Sequence, residues 1–277
     1  MEAIINTLQA TLNQTNLHFT DKQVTWLLNH VGALDPAVRD DLVYQLLGRG
    51  LESQAFTDSQ KQQIIQPILK EHWLFKSIEE PTNDRVFLRS FTALLTTEIL
   101  LNDTTHPWLT DTTRNQLFDD ALTYLVREHD QRGFVRNKGW AHAIAHGSDL
   151  LGVAWCHPQF PISQSSRALS AIQTVVQRQN RVFVADEEAR LAHPLIMALT
   201  AHKLTDNELC IWLQTTNQLL IKELNSTDLT SIYREHNWLR LIHHLYFWLP
   251  AKNIGRLIIE QISHQYYDKN GYLDFNS

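Results

Sequence analysis

Apolar residues recur at helical spacing along almost the whole chain, while alternation of period two is nearly absent. The starts of the runs are marked. Thr20-Asp21, Thr57-Asp58, Thr110-Asp111 and Thr205-Asp206 each stand before an amphipathic stretch, as N-caps do, because a side-chain oxygen there accepts an orphan backbone N–H. Asp35-Pro36 is a cap followed by proline at the first helical position. Ser163 heads a run to Val176, and Asp186-Glu187-Glu188 sets three acids where the positive end of a helix dipole favours them. The pattern predicts about twelve helices, near 2–15, 21–31, 36–50, 58–77, 84–101, 111–130, 138–155, 164–178, 187–202, 206–224, 229–248 and 251–266. Arg181–Val184 is the single β-like run and is too short to build a sheet. Short connections pair successive helices as antiparallel hairpins. The expected fold is all-α, one domain over residues 1–277, built as stacked helical hairpins in a HEAT-like α/α superhelix. A closed α/α toroid is the alternative.

Composition narrows the function classes. A formal charge of −6 and a pI near 6.1 argue against a nucleic-acid binder, whose phosphate contacts need a basic surface. Cys156 and Cys210 cannot make a disulfide framework, which fits the cytoplasm. Glu2 and Asn6 interrupt the apolar residues near Met1, so no signal peptide is expected. The most apolar stretch, Phe91–Leu101, contains Thr92, Thr96, Thr97 and Glu98 and reads as a core helix rather than a membrane span. A monomer or homodimer is expected.

The candidate chemistry gathers in residues 132–151, RGFVRNKGWAHAIAHGSDLL. On a continuous helix, His142, His146 and Asp149 fall at i, i+4 and i+7 and share one face. Beside them runs a stripe of small residues, Ala141, Ala145, Ser148 and Gly152, and then a large apolar one, Trp140, Ile144, Leu151 and Trp155. Two imidazoles one turn apart and a carboxylate one turn further are residue types that Zn²⁺ or another divalent ion accepts. A buried polar seam bonded to neighbouring helices uses the same residues. Just upstream, Glu128 and Asp130 fall in the last turn of the predicted 111–130 helix, where the dipole disfavours carboxylates. Arg132, Arg136 and Lys138 are the expected compensators, either as a surface ion-pair network or as a charged rim over the histidine face. Gly133 is placed to close that helix. Arg190 and His193 follow the acidic start at 186–188, with Pro194 set to kink or restart the helix. Trp238, Leu241, Ile242, Leu245 and Leu249 form a core stripe, with His236, Arg240 and His243 opposite. Tyr266-Tyr267 and Tyr272–Phe275 read as a capping tail or a partner contact.

Asp130-x-Arg132-Gly133-Phe134, the Gly139-Trp-Ala-His142 to Leu151 segment and Glu188-x-Arg190-Leu191-Ala192 together resemble a family of uncharacterised bacterial proteins, domain of unknown function 2785. The resemblance implies a shared architecture and a shared site but supplies no reaction. Two readings follow from the residues. One is a helical binding module whose polar cleft, lined by Asp130, Arg132, Trp140, His142, His146, Asp149 and Arg190, takes a small molecule or peptide. The other is a metal-dependent hydrolase using His142, His146 and Asp149 as zinc ligands.

Overall fold

The computed structural model describes residues 2–80, 82–225 and 227–273. The chain divides into two compact units, Met1–Phe160 and Pro161–Ser277. The first unit begins with α1 (Glu2–Leu12) and α2 (Asp21–Asn29). Next, α3 (Pro36–Val38) runs through a π-helical segment, Arg39–Tyr44, into α4 (Gln45–Glu52). Then come α5 (Asp58–Lys70), α6 (Arg85–Thr105), α7 (Asp111–Arg127) and α8 (Ala143–Cys156). Between α7 and α8 a short antiparallel ribbon pairs β1 (Phe134–Val135) with β2 (Gly139–Trp140). The second unit holds α9 (Ser165–Gln177), α10 (Glu187–Thr200), α11 (Asp206–Glu223), α12 (Leu229–Trp248) and α13 (Ile254–Lys269). The chain is all-α, as the periodicity predicts, and no described helix is long and apolar enough to cross a membrane.

The caps work as their residue types dictate. Thr20, Thr57 and Thr205 close reciprocal capping boxes with Gln23, Gln60 and Glu208, so two orphan donors are satisfied at each start. Thr110 caps α7, and Asp35 accepts from Ala37 N–H ahead of Pro36. Ser163 does not cap α9, which follows a 3₁₀ turn over Ile162–Gln164. At α10, Asp186 sits in the left-handed region without a side-chain cap, and Glu187 accepts from Ala185 N–H instead. The helix runs on through Pro194 to Thr200.

In the first unit α6 is the enclosed element. Val86, Phe87, Phe91, Leu95 and Ile99 are buried, and the Thr96 and Thr97 hydroxyls donate back to the Thr92 and Ala93 carbonyls. α8 packs against α6 and α7. Its small residues Ala145, Ser148 and Gly152 are buried as expected, and the closest approach falls at Gly147. A Cβ there would come within 2.7 Å of the Tyr124 ring, so α7 rests directly on the α8 backbone. In the second unit the predicted α12 stripe of Trp238, Leu241, Ile242, Leu245 and Leu249 is buried throughout. Tyr266 and Tyr267 belong to α13, whereas Asp274 and Phe275 lie outside the described residues.

Several elements differ from the pattern. α5 stops at Lys70 instead of continuing to 77, the chain passing into a 3₁₀ turn at Trp73–Phe75. Arg181–Val184 forms no strand, and the ribbon is at 134–140. α7 ends at Arg127, so Glu128 lies beyond its last turn, with extended backbone.

On α7, burial pushes the Asp120 carboxyl up to about 6, with Gln116 donating to it at 3.3 Å. A carboxyl raised in the folded state favours the protonated form. Its contribution is therefore fully present below its ordinary value of 3.8 and is lost as pH rises through about 6. Asp120→Asn is expected to raise stability by on the order of 2 kcal/mol at pH 7.5 and to change it little at pH 4. Urea unfolding at the two pH values checks this; an equal effect at both would contradict it.

Candidate functional site

The start of α8 departs from the sequence reading. Ala141 and His142 donate their backbone N–H groups to the carbonyls of Gly133 (2.9 Å) and Arg132 (3.1 Å), which ties them to the incoming strand and keeps them out of the helix. Gly139 turns the chain at φ +74°, where a Cβ would meet Pro36 at 2.8 Å and the Arg39 guanidinium at 3.1 Å. His142 is accordingly the N-cap of α8, with φ 47° and ψ 34°, and not a residue inside it. A left-handed backbone at a non-glycine residue is strained and persists only where its surroundings dictate it.

Trp140 moves with it. Ile144, Leu151 and Trp155 are buried as the apolar stripe predicts, but Trp140 lies on β2 and is 42% exposed. Its indole meets the Phe134 ring edge-on at 5.2 Å and stacks on the His142 imidazole at 4.2 Å. The ring contacts continue inward. His142 meets His146 at 5.8 Å, and His146 meets the edge of Phe91 on α6 at 5.3 Å. A continuous run of rings thus leads from solvent to the core.

His146 is buried, and Ser90 fixes its tautomer. The Ser90 hydroxyl touches both the Ala141 carbonyl and His146 Nδ1, the latter at 2.7 Å. A carbonyl only accepts, so the single hydroxyl hydrogen goes to Ala141. Nδ1–H then donates to Ser90 Oγ. Asp149 is half-buried, three residues further along α8.

Beneath this face lies a buried ionic foundation. Arg89 grips Glu128 with both branches, at 2.6 and 2.9 Å, and donates to the Lys76 carbonyl. Glu128 also accepts from Asp130 N–H at 2.9 Å. Glu128 is therefore paired with Arg89 from α6. Arg132 does compensate Asp130, donating through Nη2 at 2.6 Å, while Lys138 pairs with Asp84 at 2.6 Å. The Asp130 hydrogen bond holds the Arg132 guanidinium above its ordinary value. Gly133 lies in this loop and does not close α7; its carbonyl receives Ala141. On the other side, Arg39 is wholly buried between the Phe87 and Phe91 rings, at 4.5 and 4.6 Å. It donates to the Ala33 and Lys138 carbonyls and pairs with Asp40 at 2.7 Å. Burial pushes Arg39 down and Asp40 up.

Of the residues singled out from the sequence, Asp130, Arg132, Trp140, His142, His146 and Asp149 belong to the first unit, and Arg190 stands on α10 of the second. Among the described residues no group of three or more His, Cys, Asp or Glu side chains could hold a metal ion, the set of His142, His146 and Asp149 included. Ser90, Arg89 and Arg39 were not singled out from the sequence. The legible signal was a polar residue on each buried stripe: Arg89 and Ser90 between Phe87 and Phe91, and Arg39 ahead of Leu42, Val43 and Leu46.

No curated protein and no solved structure matches the chain. A family model described as "Protein of unknown function (DUF2785)" matches residues 74–247, more than half of the chain, which takes in the Ser90, Trp140 and His146 region, and the chain belongs to that family.

Proposed function

We propose that the chain is a helical binding module that holds a small molecule or peptide against Trp140, His142, His146 and Asp149, with Asp130 and Arg132 fixing the loop from which the ribbon rises. One observation carries this reading: an indole 42% exposed is stacked on an imidazole held in the left-handed region, above a buried hydrogen-bonded foundation. A large aromatic surface kept in one orientation before binding loses little freedom on binding, and rigid supports give a site its precision. The net charge of −6 supports a ligand other than nucleic acid. The same reading keeps the protein in the cytoplasm as a monomer or homodimer.

Melting curves of wild type and His146→Ala, with and without Zn²⁺, separate this from metal chemistry. The variant leaves Ser90 without its donor in the core, and a loss of about 1–3 kcal/mol is expected. Zn²⁺ is expected to leave both curves in place. A zinc-dependent rise in wild type that the variant lacks would overturn the reading in favour of a metal site, because a bound ion stabilises the native state by mass action.

A further inference from the structure

The second unit contains a pocket of about 400 Å³ between α11, α12 and α13, within the size range of small-molecule sites, roughly 300–1,000 Å³. Leu224, Trp238 and Ile262 form apolar walls, and Asn217, Glu235 and Lys269 supply polar groups. Asn217 is the informative residue, because it is only 9% exposed. Its Oδ1 accepts from Trp238 Nε1 at 3.1 Å, which fixes the orientation of the carboxamide. Among the described residues its Nδ2 donates to no group. That amide group is not fully enclosed; it lines the pocket, where water takes its hydrogens, and a ligand carbonyl can take the place of that water. The charges of the lining already cancel, Lys269 Nζ lying 3.5 Å from Glu235 Oε1. An ionic ligand would enter this apolar setting without a counter-charge.

We propose that this pocket binds a small, uncharged, apolar molecule bearing a carbonyl oxygen. The oxygen takes the Asn217 Nδ2 hydrogens, and the hydrocarbon body packs against Trp238, Leu224 and Ile262. The pocket is lined by residues of the second unit. Its α13 wall, Ile254–Lys269, lies beyond the residues matched by the family model.

Hexanamide is a suitable probe, titrated into the ¹⁵N-labelled full chain. The Asn217 Nδ2 pair and the Trp238 Nε1–H resonance are expected to shift together and to saturate. Hexan-1-ol, which is uncharged but offers no carbonyl, and hexylamine and hexanoate, which are charged, are expected to bind more weakly. Asn217→Asp keeps an acceptor for Trp238 but replaces the donor with a second acceptor oxygen and adds a negative charge; affinity for hexanamide is expected to fall about tenfold or more, with the Trp238 resonance reporting that the fold persists. Absence of a saturable Asn217 shift in wild type would overturn the proposal. So would equal affinity in Asn217→Asp, or binding of hexan-1-ol, hexylamine or hexanoate as tight as that of hexanamide.

Discussion

Replacing Arg89 by methionine should cost about 3–5 kcal/mol of stability, the usual penalty for removing one partner of a buried ion pair. Arg89 and Glu128 are each 1% exposed in their side chains. Without the guanidinium, the Glu128 carboxylate loses its two-pronged cationic donor, which neutral donors such as the Asp130 N–H at 2.9 Å and the Tyr124 hydroxyl at 3.4 Å do not replace. The loss should appear in urea unfolding as a lower midpoint with an unchanged slope. Combining Arg89→Met with Glu128→Leu should recover much of it, because apolar replacement of a whole buried pair is often close to neutral. A single-variant loss below about 1 kcal/mol would mean that water reaches Glu128, and the foundation beneath α8 would need a different explanation.

Arg39→Met should cost a similar amount, about 3–5 kcal/mol, for a different reason. It leaves the Ala33 and Lys138 carbonyls and the Asp40 carboxylate without their donor and removes the cation between the Phe87 and Phe91 rings. The effect should also reach the ribbon, because Lys138 immediately precedes Gly139 and Trp140. Amide exchange at Ala141 and His142, whose N–H groups are bonded to Gly133 and Arg132, should speed up more than exchange in α7. Arg39→Lys should not rescue the variant, since a single ammonium cannot serve two carbonyls and a carboxylate in the planar fork of arginine. Exchange that rises equally in α7 and at the ribbon would show that Arg39 supports the whole unit and has no particular hold on the face.

The sequence and the structure agree where local rules act alone. Thr20, Thr57 and Thr205 cap helices because capping needs only residues three apart, and the α12 stripe follows from its own periodicity. They part where a distant residue decides. Helical spacing put His142 inside α8, but hydrogen bonds to Arg132 and Gly133 and the turn at Gly139 against Arg39 held it outside. Trp140 left the apolar stripe for the same reason. Glu128 drew its cation from α6, 39 positions away, which no local charge pattern reveals. Even so, Leu117, Ala121 and Tyr124 lead by helical steps to Glu128, so an acid on a core stripe was visible and called for a buried partner. The candidate segment was thus legible in its position and residue types. Its geometry depended on contacts across the unit.

The central claim is that Trp140 presents a binding surface and is not part of the core. Ligand-observed NMR with a library of aromatic fragments, run on wild type and Trp140→Ala, tests this most directly. The account predicts fragments that bind wild type and lose about tenfold or more in affinity for the variant, while the unfolding free energy stays within about 0.5 kcal/mol, as for other exposed positions. Fragments that bind both proteins equally, or a variant destabilised by several kcal/mol, would contradict it.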